Sequence, residues 1–134
     1  MQSDVLRAYV VEDNPVVCEN LVAALQELTC LHVVGTSATE TDAHRWLSEN
    51  PWSWDLVVVD LFLKTGTGLA LISRVQRAKP GQKVIVFSNY VNQDVRKRCA
   101  TLGVDAVFDK STEIDALVDY CSRQCFEQTG PQPL

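Results

Sequence analysis

Residues 54–69 read WDLVVVDLFLKTGTGL. Within this stretch, Leu56–Val59 is a continuous apolar run, which is typical of a strand buried on both faces of a parallel sheet. Asp60 follows the run directly, and the segment KTGTG then predicts a turn. An unpaired buried carboxylate is costly, or its pKa shifts until it is neutral. Asp60 therefore requires partners from elsewhere in the chain.

The rest of the chain alternates strand and helix patterns. Besides the buried run, strands are predicted at residues 6–11, 31–37, 83–89 and 105–110. Helices are predicted after the N-caps Asn14 and Asn92, from Glu40 to Ser48, from Leu69 to the segment KPGQ, and from Ser111 or Thr112. Five strands alternating with five helices indicate an α/β fold, in which a doubly wound parallel sheet is covered by helices on both faces.

Length and composition are typical of one soluble domain. The chain has 134 residues, of which 46% are hydrophobic and 22% are charged. No apolar stretch reaches the ~20 residues that cross a bilayer, so no membrane association is expected. The N-terminus lacks the pattern of a signal peptide. We therefore expect a cytoplasmic protein.

The charge pattern disfavours nucleic acid as the main partner, because the net charge is −5. The one basic cluster of the sequence, Arg96, Lys97 and Arg98, lies in the predicted fourth helix. A solvated helix face is the preferred interpretation of this cluster. Contact with an acidic partner is the alternative.

The cysteines give no sign of a disulfide framework or of a zinc site. There are five of them, Cys18, Cys30, Cys99, Cys121 and Cys125. Their number is odd, and none of them shows C-x-x-C spacing. We expect all five to be small apolar packing residues.

Polar side chains end four of the five predicted strands, where open parallel sheets carry their ligands and chemistry. They are Glu12 and Asp13 after the first strand, Asp60 after the third, Ser88 in the fourth and Lys110 in the fifth. Each of them alone is explained by turn formation or helix capping. Three carboxylates that converge, however, require a cation, and Mg²⁺ prefers such an oxygen site. Carboxylate nucleophile, metal, lysine and hydroxyl are together the groups that phosphoryl transfer to an aspartate needs.

Four motifs, in this order, resemble the receiver domain of bacterial two-component response regulators: VVEDN, VVVDLFLKTGTGL, VFSN and FDKS. The resemblance covers about residues 5–126. It implies a flavodoxin-like (βα)5 fold with strand order 2-1-3-4-5. We accordingly expect a receiver domain over residues 1–126 and a flexible tail over residues 127–134.

The resemblance also implies a role for each residue at the strand ends. Asp60 would accept a phosphoryl group from a phosphohistidine of a sensor histidine kinase or a histidine phosphotransfer protein. Mg²⁺, or Mn²⁺, would be held by Glu12, Asp13, Asp60 and the backbone carbonyl of Phe62. Lys110 would pair with the acyl phosphate, and Ser88 would swing towards it and report phosphorylation to the sheet. The signal would pass to an unknown downstream protein. The domain would act as a signalling module that catalyses only its own phosphorylation and dephosphorylation.

Two loop positions depart from the family pattern. Lys64 stands where receivers often have a proline, four residues after the acceptor. Ser111 stands where many have a proline that follows a cis peptide bond. A cis bond before any other residue is costly, so the geometry of this loop is left open by the sequence.

The output positions also depart from the family pattern. Val107 stands where the aromatic switch residue usually lies, and side-chain alternation predicts that Phe108 faces the other side of the sheet. Asn89 and Tyr90 follow Ser88, and we expect them to gate access to the phosphoryl site or to stabilise the phosphorylated form. Phosphorylation is therefore predicted to act without rotation of an aromatic residue.

Two rival classes remain open. An aspartate phosphatase would carry a general acid two residues after its nucleophile, where this chain has Phe62. A degenerate receiver would bind partners without being phosphorylated. The residues after position 126 are too few for an output domain, so the effect would come from a partner, from phosphoryl relay or from a domain missing from this chain. A homodimer through the face between the fourth and fifth strands is also left open.

Overall fold

The computed structural model describes residues 5–129 as a five-stranded parallel sheet with helices on both faces. Its strands are β1 (Leu6–Val11), β2 (Leu31–Ser37), β3 (Leu56–Val59), β4 (Lys83–Ser88) and β5 (Ala106–Asp109). Its helices are α1 (Pro15–Leu28), α2 (Glu40–Glu49), α3 (Gly68–Arg74), α4 (Gln93–Thr101) and α5 (Ile114–Thr129). The strand order β2-β1-β3-β4-β5 confirms the predicted doubly wound, flavodoxin-like fold. None of these helices is long and apolar enough to cross a membrane.

The sheet separates two apolar cores, and β3 contributes to both. Leu56 and Val58 face the α1–α5 core, which those two helices cover with residues such as Leu21, Leu25, Leu117 and Cys121. Val57 and Val59 face the α2–α4 core, which the other three helices cover. Each fully buried apolar side chain of this size contributes roughly 1.5–3 kcal/mol. The predicted two-sided burial of β3 is confirmed, and the strand is a rigid support for Asp60.

Polar side chains cap the first four helices, and two of these caps, Asn14 and Asn92, were predicted from the sequence. Asn14 accepts hydrogen bonds from the first backbone amides of α1, and Asn92 accepts one from the first turn of α4. Thr39 and Thr67 cap α2 and α3 in the same way. Such a cap stabilises a helix by about 1 kcal/mol relative to alanine.

Helix α3 ends at Arg74, earlier than predicted, because a buried glutamine binds the segment that follows it. The side-chain oxygen of Gln82 accepts a hydrogen bond from the backbone amide of Ala78 at 2.7 Å. Its amide nitrogen donates to the carbonyl oxygens of Pro51 and Trp54, both at 2.8 Å. These bonds attach the chain after α3 to the loop before β3, and they replace the bonds of a further helical turn.

Helix α5 begins at Ile114, later than predicted, because a turn precedes it. The carboxylate of Asp109 accepts hydrogen bonds from the backbone amide and the hydroxyl of Ser111, at 2.8 and 2.5 Å. At its other end, α5 continues to Thr129, so residues 127–129 of the predicted tail are helical. Residues 130–134 of that tail lie outside the described residues.

A disulfide bond joins Cys30 to Cys125, so the prediction that all five cysteines are free packing residues is wrong. Cys30 lies between α1 and β2, Cys125 lies in α5, and α1 and α5 cover the same core. The topology therefore brings together two cysteines that are 95 positions apart. Sequence spacing carries no sign of this pairing. The other three, Cys18, Cys99 and Cys121, are free and pack against the two cores, as predicted.

A partly buried carboxylate with two cationic partners holds the end of the sheet opposite the polar strand ends. The carboxylate of Asp55 accepts hydrogen bonds from the backbone amide of Arg7 at 2.7 Å and from Nε of Arg7 at 3.3 Å. Nζ of Lys79 lies 3.0 Å from its other oxygen. Burial alone would raise the pKa of Asp55, but the bonds from Arg7 and Lys79 outweigh it and hold the pKa below its ordinary value. Folding therefore favours the ionised carboxylate.

We expect Asp55→Asn to lower the free energy of unfolding at pH 7 by about 1.5–3 kcal/mol, because charge-assisted hydrogen bonds are lost. A lowered folded-state pKa contributes stability above the unfolded-state pKa and loses it as the pH falls through the folded-state pKa. The difference between wild type and variant should therefore shrink as the pH falls below about 4. Urea unfolding at several pH values measures this. Asp119→Asn, on the exposed side of α5, is the charge-matched control; a pH-independent difference for Asp55→Asn contradicts the ion-pair explanation.

Candidate functional site

The polar residues at the strand ends come together at one edge of the sheet. Backbone hydrogen bonds between neighbouring strands continue beyond the strand ends and fix the backbone of the site residues. The backbone amide of Asp60 donates to the carbonyl oxygen of Val11 at 3.0 Å, and that of Lys110 donates to the carbonyl oxygen of Ser88 at 3.0 Å. The site residues are therefore attached to a rigid sheet rather than carried by loops alone.

Asp60 lies at the centre of this group, and both of its carboxylate oxygens are bonded. The residue is 5% exposed. Its Oδ1 accepts hydrogen bonds from the hydroxyl of Ser88 at 2.7 Å and from the backbone amide of Phe62 at 3.1 Å. Its Oδ2 accepts one from Nζ of Lys110 at 2.7 Å. Partners from β4, from the loop after β3 and from the end of β5 thus satisfy the carboxylate.

Lys110 connects two of the three carboxylates. Its Nζ lies 2.5 Å from Oε1 of Glu12 as well as 2.7 Å from Oδ2 of Asp60, and the lysine side chain is only 12% exposed. Burial alone would lower the pKa of Lys110, but the bonds to Asp60 and Glu12 raise it above its ordinary value. Burial raises the pKa of Glu12, although the bond from Lys110 acts in the opposite direction. The ammonium group therefore stays charged beside Asp60.

The three acidic residues form a set of oxygens that fits a divalent cation. One carboxylate oxygen each from Glu12, Asp13 and Asp60 can be chosen so that all three lie within 4.8 Å of one another. Asp13 is half-buried, and its Oδ2 is fixed by the backbone amide of Lys64 at 2.7 Å. Hard cations such as Mg²⁺ prefer carboxylate oxygens in this arrangement. The predicted participation of the backbone carbonyl of Phe62 stays a prediction.

A close backbone contact positions the loop after β3, and sequence reasoning did not identify it. The backbone amide of Gly68 donates to the carbonyl oxygen of Leu61 at 3.0 Å. A Cβ atom at Gly68 would lie 2.3 Å from the carbonyl oxygen of Asp60, so no larger residue fits without a backbone shift. The repeated glycines of KTGTG were the signal for this approach, although they predicted only a turn.

The residues predicted to gate the site lie at its rim. Asn89 is exposed beside Lys110, and Tyr90 is 83% exposed. Tyr90 has a φ of 58°, in the left-handed region that residues other than glycine rarely adopt. Its ring contacts that of Phe62 edge to face, with centroids 6.2 Å apart. The two rings therefore contact each other at the protein surface beside Asp60, and not in the apolar core.

The two residues at the predicted switch position face opposite sides of the sheet. Val107 packs against the α2–α4 core. Phe108 packs against the α1–α5 core and contacts the ring of Tyr120, with centroids 5.8 Å apart. The alternation predicted from the sequence is confirmed. No cis peptide bond occurs between residues 5 and 129, so the bond before Ser111 is trans.

Comparison with known proteins defines the class to which this fold and site belong. The family model described as response regulator receiver domain matches residues 8–122. The chain therefore belongs to the response regulator receiver domain family, as the motifs predicted. A phospho-acceptor role is standard for this family, whose members are signalling modules that interact with histidine kinases.

Individual relatives agree with this assignment. The methanol utilization control regulatory protein MoxX of Paracoccus denitrificans is 26% identical over 109 residues, which are 80% of this chain and 48% of that protein. The DNA-binding transcriptional regulator NtrC of Azospirillum brasilense is 26% identical over 125 residues, or 93% of this chain and 25% of that protein. The chain thus spans half or less of these bacterial regulators. A solved receiver domain from Clostridium thermocellum has the same fold, with a TM-score of 0.78, 18% identity, and coverage of 92% of this chain and 96% of that one.

Proposed function

We propose that Asp60 is the residue of this receiver domain that accepts the phosphoryl group from a phosphohistidine of a kinase or phosphotransfer protein. The phosphorus–nitrogen bond of the donor breaks while a bond forms between phosphorus and a carboxylate oxygen of Asp60. The imidazole keeps the electron pair of the broken bond and is protonated. One observation supports this proposal above the others. Hydroxyl, amide and ammonium donors from three other parts of the chain converge on the carboxylate of Asp60.

The divalent cation, Mg²⁺ or Mn²⁺, would be held by Glu12, Asp13, Asp60 and the carbonyl oxygen of Phe62. A bound cation would neutralise negative charge on the transferred phosphoryl oxygens. The amide of Lys64 keeps the Asp13 carboxylate in place for this role. The oxygen ligands and their spacing support the assignment, since the carboxylates alone would repel one another.

Lys110 and Ser88 would stabilise the phosphorylated product. The ammonium of Lys110 and the hydroxyl of Ser88 contact different oxygens of Asp60, at 2.7 Å each. After transfer, both can bond to phosphoryl oxygens without leaving the site. Such donors, already oriented before reaction, are typical of sites that stabilise developing negative charge. Movement of Ser88 towards the phosphoryl group would then alter its bonds to its neighbours.

Phosphoryl incorporation from acetyl phosphate in the presence of Mg²⁺ tests this proposal. We expect the intact mass to rise by one phosphoryl group in the wild type and to stay unchanged in Asp60→Asn, which is nearly isosteric. EDTA should reduce incorporation to the level of the variant. A gain of mass in Asp60→Asn would show that another residue accepts the phosphoryl group. Lack of incorporation from acetyl phosphate and from phosphorylated histidine proteins would instead favour the phosphorylation-independent docking module.

A further inference from the structure

A mostly apolar groove lies between α3 and α4, on the side of the sheet that carries the α2–α4 core. We call it the α3–α4 groove, and its volume is about 590 Å³. Its apolar lining consists of Leu61, Phe62, Leu69, Ala70, Val95 and Leu102. Phe62 is 54% exposed. A groove lined in this way can receive the apolar side chains of an amphipathic segment.

An unpaired arginine lines the rim of this groove, and an unpaired lysine lies next to it on α4. Arg98 lines the groove, and Lys97 lines the adjoining depression on α4. Neither forms an ion pair with another residue in the described range 5–129, whereas Arg96 is paired with Glu113 at 3.0 Å. Of the residues that line the groove, none described is acidic. The rim is therefore positive in a chain whose net charge is −5.

The floor of the groove is hydrogen-bonded to the acceptor site. The backbone amide of Leu61 donates to the hydroxyl oxygen of Ser88 at 3.3 Å. The backbone amide of Phe62 donates to Oδ1 of Asp60 at 3.1 Å. A phosphoryl group on Asp60 would change the acceptors available to both amides, since Ser88 is itself bonded to Oδ1 of Asp60.

We propose that the α3–α4 groove binds an acidic amphipathic segment of a partner protein, with an affinity that depends on the phosphorylation of Asp60. Apolar side chains of the segment fill the space between Leu69 and Val95. Its carboxylates pair with Arg98 at the rim and with Lys97 in the adjoining depression. This is the arrangement of an amphipathic helix laid into a groove. Only the dependence on phosphorylation rests on the function proposed above.

The sign of the rim charge determines which segments bind. A segment with lysine or arginine beside its apolar residues meets the free cations of α4 and is repelled. A purely apolar segment leaves Arg98 without a partner and gains nothing from Lys97. Acidic segments therefore bind more tightly than basic or uncharged segments of the same apolar content.

Selection from a random peptide library on phage tests the binding. The unphosphorylated wild-type protein is the target, and no variant is used during the selection. We expect the selected peptides to combine aspartate or glutamate with bulky apolar residues. As synthetic fluorescent peptides, they should bind Arg98→Glu and Lys97→Glu about tenfold or more weakly than wild type in anisotropy titrations. Arg123→Glu makes the same charge change on α5, across the sheet, and should bind as wild type does.

Amide chemical shifts locate the bound peptide. Shifts at Leu69, Val95 and Leu102 are expected. Basic selected peptides, failure to select any peptide, or shifts confined to another face would overturn the proposal. Equal binding by Arg98→Glu, with an unchanged thermal midpoint, would overturn it as well. Analytical ultracentrifugation tests for a dimer. If the wild type is a dimer and Arg98→Glu is a monomer, the groove binds a second copy of the chain instead of a partner segment, and the proposal is overturned.

Titration of the phosphorylated protein tests the coupling. After treatment with acetyl phosphate and Mg²⁺, the peptide affinity should change by about fivefold or more. Equal affinities of the phosphorylated and unphosphorylated protein would overturn the coupling. If the protein takes up no phosphoryl group, the titration of the unphosphorylated protein still measures peptide binding in the groove. The two experiments therefore distinguish an error about the groove from an error about the acceptor residue.

Discussion

Lys110→Met is expected to slow phosphorylation of the domain by about a hundredfold to a thousandfold, since it removes an oriented charge beside the proposed acceptor carboxylate. Nζ of Lys110 lies 2.7 Å from Oδ2 of Asp60, so its charge would also adjoin the oxygens of a phosphoryl group transferred to that carboxylate. Methionine keeps most of the volume of the side chain but donates no hydrogen bond. The initial rate of incorporation from acetyl phosphate measures the effect.

Lys83→Met is the matched control for this variant, because Lys83 begins β4 at the opposite end of the sheet. Its rate should equal that of the wild type. A second measurement separates loss of charge from misfolding. Without Lys110, the carboxylates of Glu12 and Asp60 repel each other, so Mg²⁺ should raise the midpoint of thermal unfolding more in Lys110→Met than in wild type. Equal Mg²⁺ shifts together with an unchanged phosphorylation rate would contradict the role assigned to Lys110.

Reduction of the disulfide is expected to lower the free energy of unfolding by about 4–5 kcal/mol, if the bond acts by constraining the unfolded chain. Cys30 and Cys125 are 95 positions apart, and a bond that closes so long a loop restricts the unfolded chain strongly. Urea unfolding with and without dithiothreitol measures the difference. Such bonds are lost in reducing compartments, so the stability of the domain should depend on redox conditions.

The double variant Cys30→Ser, Cys125→Ser provides the control for reduction. Its midpoint in urea should be the same with and without dithiothreitol and close to that of the reduced wild type. Thiol titration in denaturant should find three free thiols before reduction, and five after it. Five reactive thiols in the untreated protein, or an unfolding midpoint insensitive to reduction, would contradict the disulfide.

The elements that follow from local chemistry were predictable from the sequence. The apolar run of β3, the caps Asn14 and Asn92 and the alternation of strand and helix depend on neighbouring residues, and all are found in the structure. The strand-end residues were predictable as well, because parallel strands place their carboxyl ends at one edge of the sheet. The family resemblance supplied the strand order, which periodicity alone does not determine.

Features that depend on distant contacts were not predictable. Helix α3 ends early because Gln82 bonds to the loop before β3, and no local pattern reveals that partner. The disulfide joins cysteines that only the packing of α1 and α5 brings together. The basic residues of α4 also differ in their surroundings, which the sequence does not reveal. Arg96 pairs with Glu113, whereas Arg98 lines a groove.

Chemical trapping of the phosphorylated residue tests the central claim most directly. Borohydride reduces an acyl phosphate to the alcohol, so a phosphorylated aspartate is converted into homoserine. After treatment with acetyl phosphate and Mg²⁺, peptide mass spectrometry should find this conversion at Asp60 and at no other acidic residue. Conversion at Glu12 or Asp13, or no conversion in a sample whose intact mass has risen by one phosphoryl group, would contradict the assignment of Asp60 as the acceptor.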